Sequence, residues 1–196
     1  MSKKLESEKV NKAIAVLKNG DVIIVPTDTV YGFIVDATNK KAVDKIYKIK
    51  KRPKGKPLAV FVSSIKMAKE LAEIDEKQAK ILKKFWPGKY TFILKRNSPD
   101  VGPWMLYGQD RKTIALRIPK NTFLQKLLKK INRPLVQTSV NISGESPLIN
   151  IEQIQERFSK IGISDTPMLI IDGGNLKNGK PSKIIGLTSK NLTILR

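Results

Sequence analysis

The sequence predicts a mixed α/β domain, and three observations carry that reading. Short apolar runs rich in β-branched residues, such as Val22–Val25 and Leu58–Val62, have the length of buried strands. Between them lie segments whose apolar residues recur at helical spacing. No internal repeat and no low-complexity linker interrupts the 196 residues, so one domain over 1–196 is expected, large enough to bury a core.

Val10, Ala13, Ile14 and Leu17 mark an amphipathic helix over about residues 7–18, with Asn19-Gly20 as its stop. The strand Val22–Val25 follows and ends at Pro26. The loop Thr27-Asp28-Thr29-Val30-Tyr31-Gly32 then leaves the strand tip, with Gly32 expected to turn the backbone. Such a loop is either an ordinary turn or a ligand loop on the end of a buried strand. Asn39 is the expected N-cap of a helix to about Ile49. After the basic stretch Lys48–Pro57, Leu58–Val62 is the second strand. Helices are expected near 64–73 and 75–85, and Tyr90–Leu94 is a strand. A turn-rich segment runs from Arg96 to Lys112. Thr113–Ile118 is a strand stopped by Pro119, and Asn121 opens a helix to about Ile131. Leu135–Gln137 is a short strand running into Thr138–Gly144. Asn150 and Gln153 start a helix to about Lys160, and short strands close the chain at 168–171, 183–187 and 192–195.

Composition excludes several chemistries. Zero cysteines remove disulfides, thiolate nucleophiles and cysteine metal sites, and zero histidines remove Ser-His-Asp hydrolysis and HExxH zinc chemistry. The apolar runs are too short to span a bilayer and Met1–Lys4 opens no signal peptide, so a cytoplasmic location without membrane contact is expected. The net charge of +21 fits a polyanionic partner such as RNA, DNA or nucleotide phosphates; a genome-wide lysine bias would produce it equally. It is spread along the chain, not gathered into one arm.

Three polar loops carry oxyanion-binding groups: Thr27–Gly32, Lys50–Lys56 and Thr138–Gly144. Lys50 and Arg52, two residues apart, can converge on one polyphosphate, the arginine as a bidentate fork and the lysine as a point charge. Ser139 and Asn141 share that spacing, which on an extended backbone points both to one side. A solvated basic turn and a hydrogen-bonded turn are the plainer accounts of these pairs. Neither GxxxxGK[ST] nor GxGxxG occurs. No spaced carboxylate set builds a dedicated metal cage, although Mg²⁺ can arrive on a nucleotide.

Pro26-Thr27-Asp28-Thr29-Val30-Tyr31-Gly32, Lys50-x-Arg52-Pro53, Pro57-Leu58, Trp86-Pro87-Gly88-x-x-Thr91, Leu116–Pro119, Thr138-Ser139-Val140-Asn141-x-Ser143-Gly144 and Pro181-Ser182 together resemble the YrdC/Sua5 family of threonylcarbamoyl-AMP synthases, from about Ala13 to Arg196. The short length resembles the family's single-domain form. The resemblance implies a twisted, mixed sheet with flanking helices around a large basic cavity. It implies synthesis of L-threonylcarbamoyl-AMP and pyrophosphate from L-threonine, bicarbonate or CO2, and ATP with Mg²⁺. The product serves the t6A modification of tRNA, through a separate tRNA threonylcarbamoyl transferase. Lys50 and Arg52 would act on the ATP phosphates, helped by Lys56, Ser139, Asn141 and Arg196. Thr29, Arg117 and Ser182 would hold threonine, Arg117 pairing its carboxylate. Asp28 is left to loop structure. Departures from the family pattern fall at Lys56, where Asn is common, at Phe61, where some members have His, and at Lys183. The alternative drawn from the charge is a non-catalytic protein that binds double-stranded RNA or assists ribosome assembly. A carbamoyl transferase using carbamoyl phosphate, as in larger hydrogenase-maturation proteins, is a further alternative.

Overall fold

The computed structural model describes residues 3–98, 104–159, 168–176, 179–188 and 192–195. Helix α1 (Lys3–Lys18) starts earlier than its apolar pattern, with Glu6 in the first turn, where a carboxylate favours the helix dipole. Strands β1 (Val22–Pro26) and β2 (Tyr31–Asp36) form an antiparallel hairpin. The remaining elements are α2 (Lys40–Ile49), β3 (Ala59–Phe61), α3 (Ile65–Leu71), α4 (Glu76–Phe85), β4 (Tyr90–Lys95) and β5 (Thr113–Arg117). They continue with α5 (Thr122–Ile131), β6 (Leu135–Ser139), α6 (Ile151–Ser159), β7 (Met168–Ile170), β8 (Lys183–Gly186) and β9 (Thr193–Ile194).

The sequence reading missed β2 altogether. Gly32 does not turn the chain; it lies inside β2, paired with Val25 on one side and Ser139 on the other. The connecting loop is therefore only Thr27–Val30. The missing side chain is used for close packing, since a Cβ at Gly32 would stand 3.4 Å from the Thr27 methyl and 3.5 Å from the Thr138 carbonyl oxygen. The predicted N-caps are present: Asn39 accepts from the Ala42 amide and Asn121 from the Leu124 amide. Asp75 and Gln78 add a reciprocal capping box to α4.

The strands join one sheet in the order β7-β1-β2-β6-β3-β5-β4-β8-β9. β1/β7, β3/β5 and β4/β8 are parallel and the other neighbours antiparallel. Strand alternation sorts the core onto two faces. Val22, Ile24, Phe33, Val60, Phe92 and Leu116 pack with α2, α3, α4 and α6. Ile23, Val25, Ile34, Phe61 and Leu135 pack on the opposite side with α1 and α5. On that second face the two helices cover only one half of the sheet. Ala59, Ile93, Ala115 and Gln137, on the exposed half, become the floor of a cavity of about 550 Å³. No residue lining the cavity belongs to a helix. The hollow exists because the sheet is wider than its cover, and because Ala59 and Ala115 leave the floor low.

Two helices deliver the chain to its next element through the same C-terminal turn. After α1, Gly20 takes φ +78° while the amides of Gly20 and Asp21 bond the carbonyls of Leu17 and Val16. After α2, Lys51 takes φ 49° while the amides of Lys51 and Arg52 bond Lys48 and Tyr47. Both are Schellman turns, and the second puts a lysine where glycine carries no steric penalty. Lys51→Gly is expected to stabilise the fold by about 0.5–1 kcal/mol, read as a shifted urea midpoint at unchanged slope.

Candidate active site

Two basic corners face one cavity. The first is built on Arg117, the last residue of β5, which is buried at 1% exposure. Its Nε–H donates to the Gly88 carbonyl at 2.9 Å, and Nη1 donates to Thr29 Oγ1 at 3.2 Å. Nη2 donates to Asp28 Oδ1 at 2.5 Å, and the guanidinium lies over the Phe61 ring, 5.5 Å from its centroid. Burial lowers the Arg117 pKa from its ordinary value, and Asp28 opposes the shift. Three of the five N–H donors are thus held by the protein, leaving two for a ligand.

Thr29 is placed as tightly. Its hydroxyl shares a 2.9 Å hydrogen bond with Thr27 Oγ1, and its amide donates to that same atom. Ser182, just ahead of β8, shares a buried 2.9 Å hydroxyl pair with Thr91 of β4. Thr29, Arg117 and Ser182, assigned together from sequence, are all buried and all line the cavity.

The second corner is built on Lys50, the C-cap of α2, whose side chain is buried at 2% exposure. Its ammonium donates to the Ser139 carbonyl at 2.6 Å, the Asn141 carbonyl at 2.9 Å and Asn141 Oδ1 at 2.6 Å. Asn141 Oδ1 also accepts from Ser139 Oγ at 2.7 Å, and Asn141 Nδ2 donates to the Glu145 carbonyl at 2.6 Å. Burial first, and the Arg52 charge after it, push the Lys50 ammonium down to about 8, while Glu145 pulls the other way.

These residues meet as their spacing suggested, but with a different division of labour. Lys50 has three donors and all three are engaged by the last residue of β6 and the loop that follows it. In this arrangement it offers a ligand charge and no free N–H. Arg52 is the reaching group: only Nε and Nη2 are held, by the Lys56 and Pro57 carbonyls. Ser143 Oγ is buried without a partner, and it lines the cavity beside Gly144, whose φ is +95°. Lys56 is exposed and its side chain does not line the cavity; its carbonyl receives Arg52 and the Tyr47 hydroxyl. Arg196 lies outside the described residues.

Several lining residues escaped the sequence reading. Thr91, Thr113 and Gln137 alternate with the core residues Phe92, Ile114 and Val136 along their strands, a pattern that could have marked them. The sequence assigns Asp28 to loop structure alone; its bond to Arg117 makes it part of this corner. Glu145 is the one carboxylate among the lining residues, against the cations of Lys50, Arg52 and Arg117. It is itself paired with Arg157 of α6. No three His, Cys, Asp or Glu side chains gather into a metal-holding group among the described residues.

The Sua5/YciO/YrdC family model, described as telomere recombination, matches residues 15–196. The chain belongs to this family. It is 33% identical over 195 residues to threonylcarbamoyl-AMP synthase from Pyrococcus abyssi, covering 98% of this chain and 55% of that protein. The solved P. abyssi Sua5 complexed with L-threonine superposes with a TM-score of 0.82 at 32% identity, over 96% of this chain and 53% of that one. YciO from Escherichia coli is 31% identical over 188 residues, 95% of this chain and 87% of YciO. The YciO crystal structure superposes with a TM-score of 0.81 over 96% of this chain and 88% of that one. The chain therefore spans about half of its Sua5 relative and most of YciO. Among the described residues, no helix of this Sua5/YciO/YrdC chain is long and apolar enough to cross a membrane.

The Lys50 ammonium gives the second corner a pH signature. With its pKa near 8 it is charged at neutral pH and loses its proton as the pH rises through that value. ATP completes its phosphate ionisation below this range. A nucleoside triphosphate offered to this corner is expected to bind severalfold more weakly at about pH 9.5 than at about pH 8, with protons taken up on binding. Calorimetry in buffers of different ionisation enthalpy reads both effects.

Proposed function

We propose that this chain is a threonylcarbamoyl-AMP synthase, joining L-threonine, bicarbonate or CO2 and ATP with release of pyrophosphate. One observation carries the reading. An arginine corner with hydroxyl neighbours, suited to an amino-acid carboxylate, and a Lys50/Arg52 corner, suited to phosphates, open onto the same cavity. The synthase relatives and the threonine-bound Sua5 support it.

The chemistry asks for placement and charge, not for a protein nucleophile, and so suits a chain without histidine or cysteine. Arg117 holds the threonine carboxylate, Thr29 stands against the amino acid at the cavity wall, and Ser182 is close by to orient it. The amine adds to CO2 and loses a proton, giving a carbamate. A carbamate oxygen then attacks the α-phosphorus in line, and the bond to pyrophosphate breaks. Arg52 meets the charge growing on the phosphates, with the Lys50 ammonium behind it and Ser143 Oγ as a further donor. Mg²⁺ would be carried by the nucleotide, since Glu145 is the one lining carboxylate. In a hollow with a buried floor, water is kept from the carbamate and from the mixed anhydride. The product is short-lived and must pass to a separate transferase acting on tRNA, which places the protein in the cytoplasm. The +21 charge fits such a polyanionic neighbour.

Radiolabelled bicarbonate is expected to enter an adenylate only when L-threonine and ATP are both present, with one pyrophosphate released per adenylate formed. Label incorporation that ignores threonine would end this reading. Arg52→Ala, at a half-exposed position held only by its own loop, is expected to fold normally and lose about 100-fold in turnover.

A further inference from the structure

Asp28 stands behind the cavity wall and does not line it, although Thr29, Val30 and Arg117 do. Both of its oxygens are committed: Oδ1 accepts from Arg117 Nη2 at 2.5 Å and Oδ2 from the Lys120 amide at 3.1 Å. The pair is sealed, with side-chain exposures of 2% for Arg117 and 8% for Asp28. Every other hydrogen-bond partner of the guanidinium is neutral: the Gly88 carbonyl and the Thr29 hydroxyl. Asp28 is thus the one charged group bonded to this arginine, and it ties the β1–β2 loop to the end of β5 and to the approach to α5.

The other corner lacks such a mask. Arg52 is bonded only to backbone carbonyls, Lys50 to carbonyl oxygens alone, and Glu145 answers Arg157. One cavity therefore holds two arginines of different character. Arg52 and Lys50 present net positive charge; Arg117 presents aimed N–H groups on a neutralised pair.

We propose that Asp28 is a positioning residue that assigns the two ends of the cavity. It fixes the plane of Arg117 so that the two remaining N–H groups meet the substrate carboxylate, and it cancels the arginine's charge so that polyphosphate is not drawn to that end. This rests on the reading that Arg117 takes the carboxylate of an α-amino acid. Two opposite outcomes separate aim from field. If Asp28 matters only through the field, Asp28→Asn leaves a stronger cation and threonine binds more tightly. If it matters by aiming, the same isosteric change, which still accepts from the Lys120 amide, weakens threonine.

The test compares wild type, Asp28→Asn and Asp28→Glu in the pyrophosphate-release assay. Asp28→Asn is expected to raise the KM for L-threonine at least about tenfold, leave the KM for ATP within about twofold, and make excess ATP competitive with threonine. Asp28→Glu, which keeps the charge but moves it by one methylene, is expected to raise the threonine KM while excess ATP stays non-competitive. A threonine KM that falls or stays within about twofold in Asp28→Asn overturns the proposal. A readout that needs no turnover is the Arg117 Nε–Hε signal in ¹⁵N NMR of the ligand-free protein. Slow guanidinium rotation in wild type is expected to become fast in Asp28→Asn. Unchanged rotation overturns the positioning role even if the chain makes no adenylate, while loss of adenylate formation with altered rotation sinks only the synthase reading. Should Asp28→Asn not fold, Asp28→Glu and the wild-type rotation rate decide.

Discussion

A buried ammonium organises this molecule more than any apolar contact does. Lys50 lies where α2 ends, and its three donors close on carbonyl oxygens of Ser139 and Asn141, about ninety residues further along the chain. That bond set ties the helix terminus on one face of the sheet to the loop that rims the cavity on the other. Burying the charge is costly. A pKa drawn from 10.5 to about 8 corresponds to roughly 3 kcal/mol of penalty on the protonated form. An apolar residue of similar length would be cheaper to bury and could not hold three oxygens. The same constraint explains the strained Lys51: its positive φ is what lets Lys50 turn inward while Arg52 turns out.

The hollow follows from the sheet, not from any loop. With nine strands in the sheet among the described residues, α1 and α5 cover one half of a face and leave the β3–β5–β4–β8 half open. The small residues Ala59 and Ala115 keep that half concave, while Phe61, one step along the same strand face as Ala59, already belongs to the core. Core and floor therefore share strands. Phe61, whose ring lies against the Arg117 guanidinium, belongs to the cluster that α5 packs into, so the arginine corner is built directly on the core.

How much of this could be read in the sequence depended on distance along the chain. Asn39 and Asn121 announced their helices, since a cap and the amide it accepts from are three residues apart. Lys50 with Arg52, and Ser139 with Asn141, were visible as pairs because two-residue spacing has direct geometric meaning. β2 was not, because Gly32 breaks an apolar run that only its strand neighbours complete. The Asp28–Arg117 and Thr91–Ser182 contacts join residues 89 and 91 apart, and no local pattern encodes them. The family resemblance named Arg117 and Ser182, but not what holds them. The same limit hid the engagement of every Lys50 donor by Ser139 and Asn141.

Two arginines in one cavity need a reason to bind different anions, because the guanidinium itself has no preference between carboxylate and phosphate. The reason must lie in their neighbours. Arg52 is half-exposed, faces backbone carbonyls and stands beside an ammonium whose pKa its own charge depresses. Polyphosphate relieves that like-charge repulsion, so the second corner is the better seat for the more highly charged ligand. Arg117 has no such repulsion to relieve. Its charge is already answered by Asp28, and a ligand there gains hydrogen bonds more than Coulomb energy. A singly charged carboxylate asks for no more than that, whereas a triphosphate would leave most of its charge uncompensated in a sealed corner. On the proposed reading, the direction in which two anionic substrates lie across the cavity is set by one carboxylate that touches neither of them.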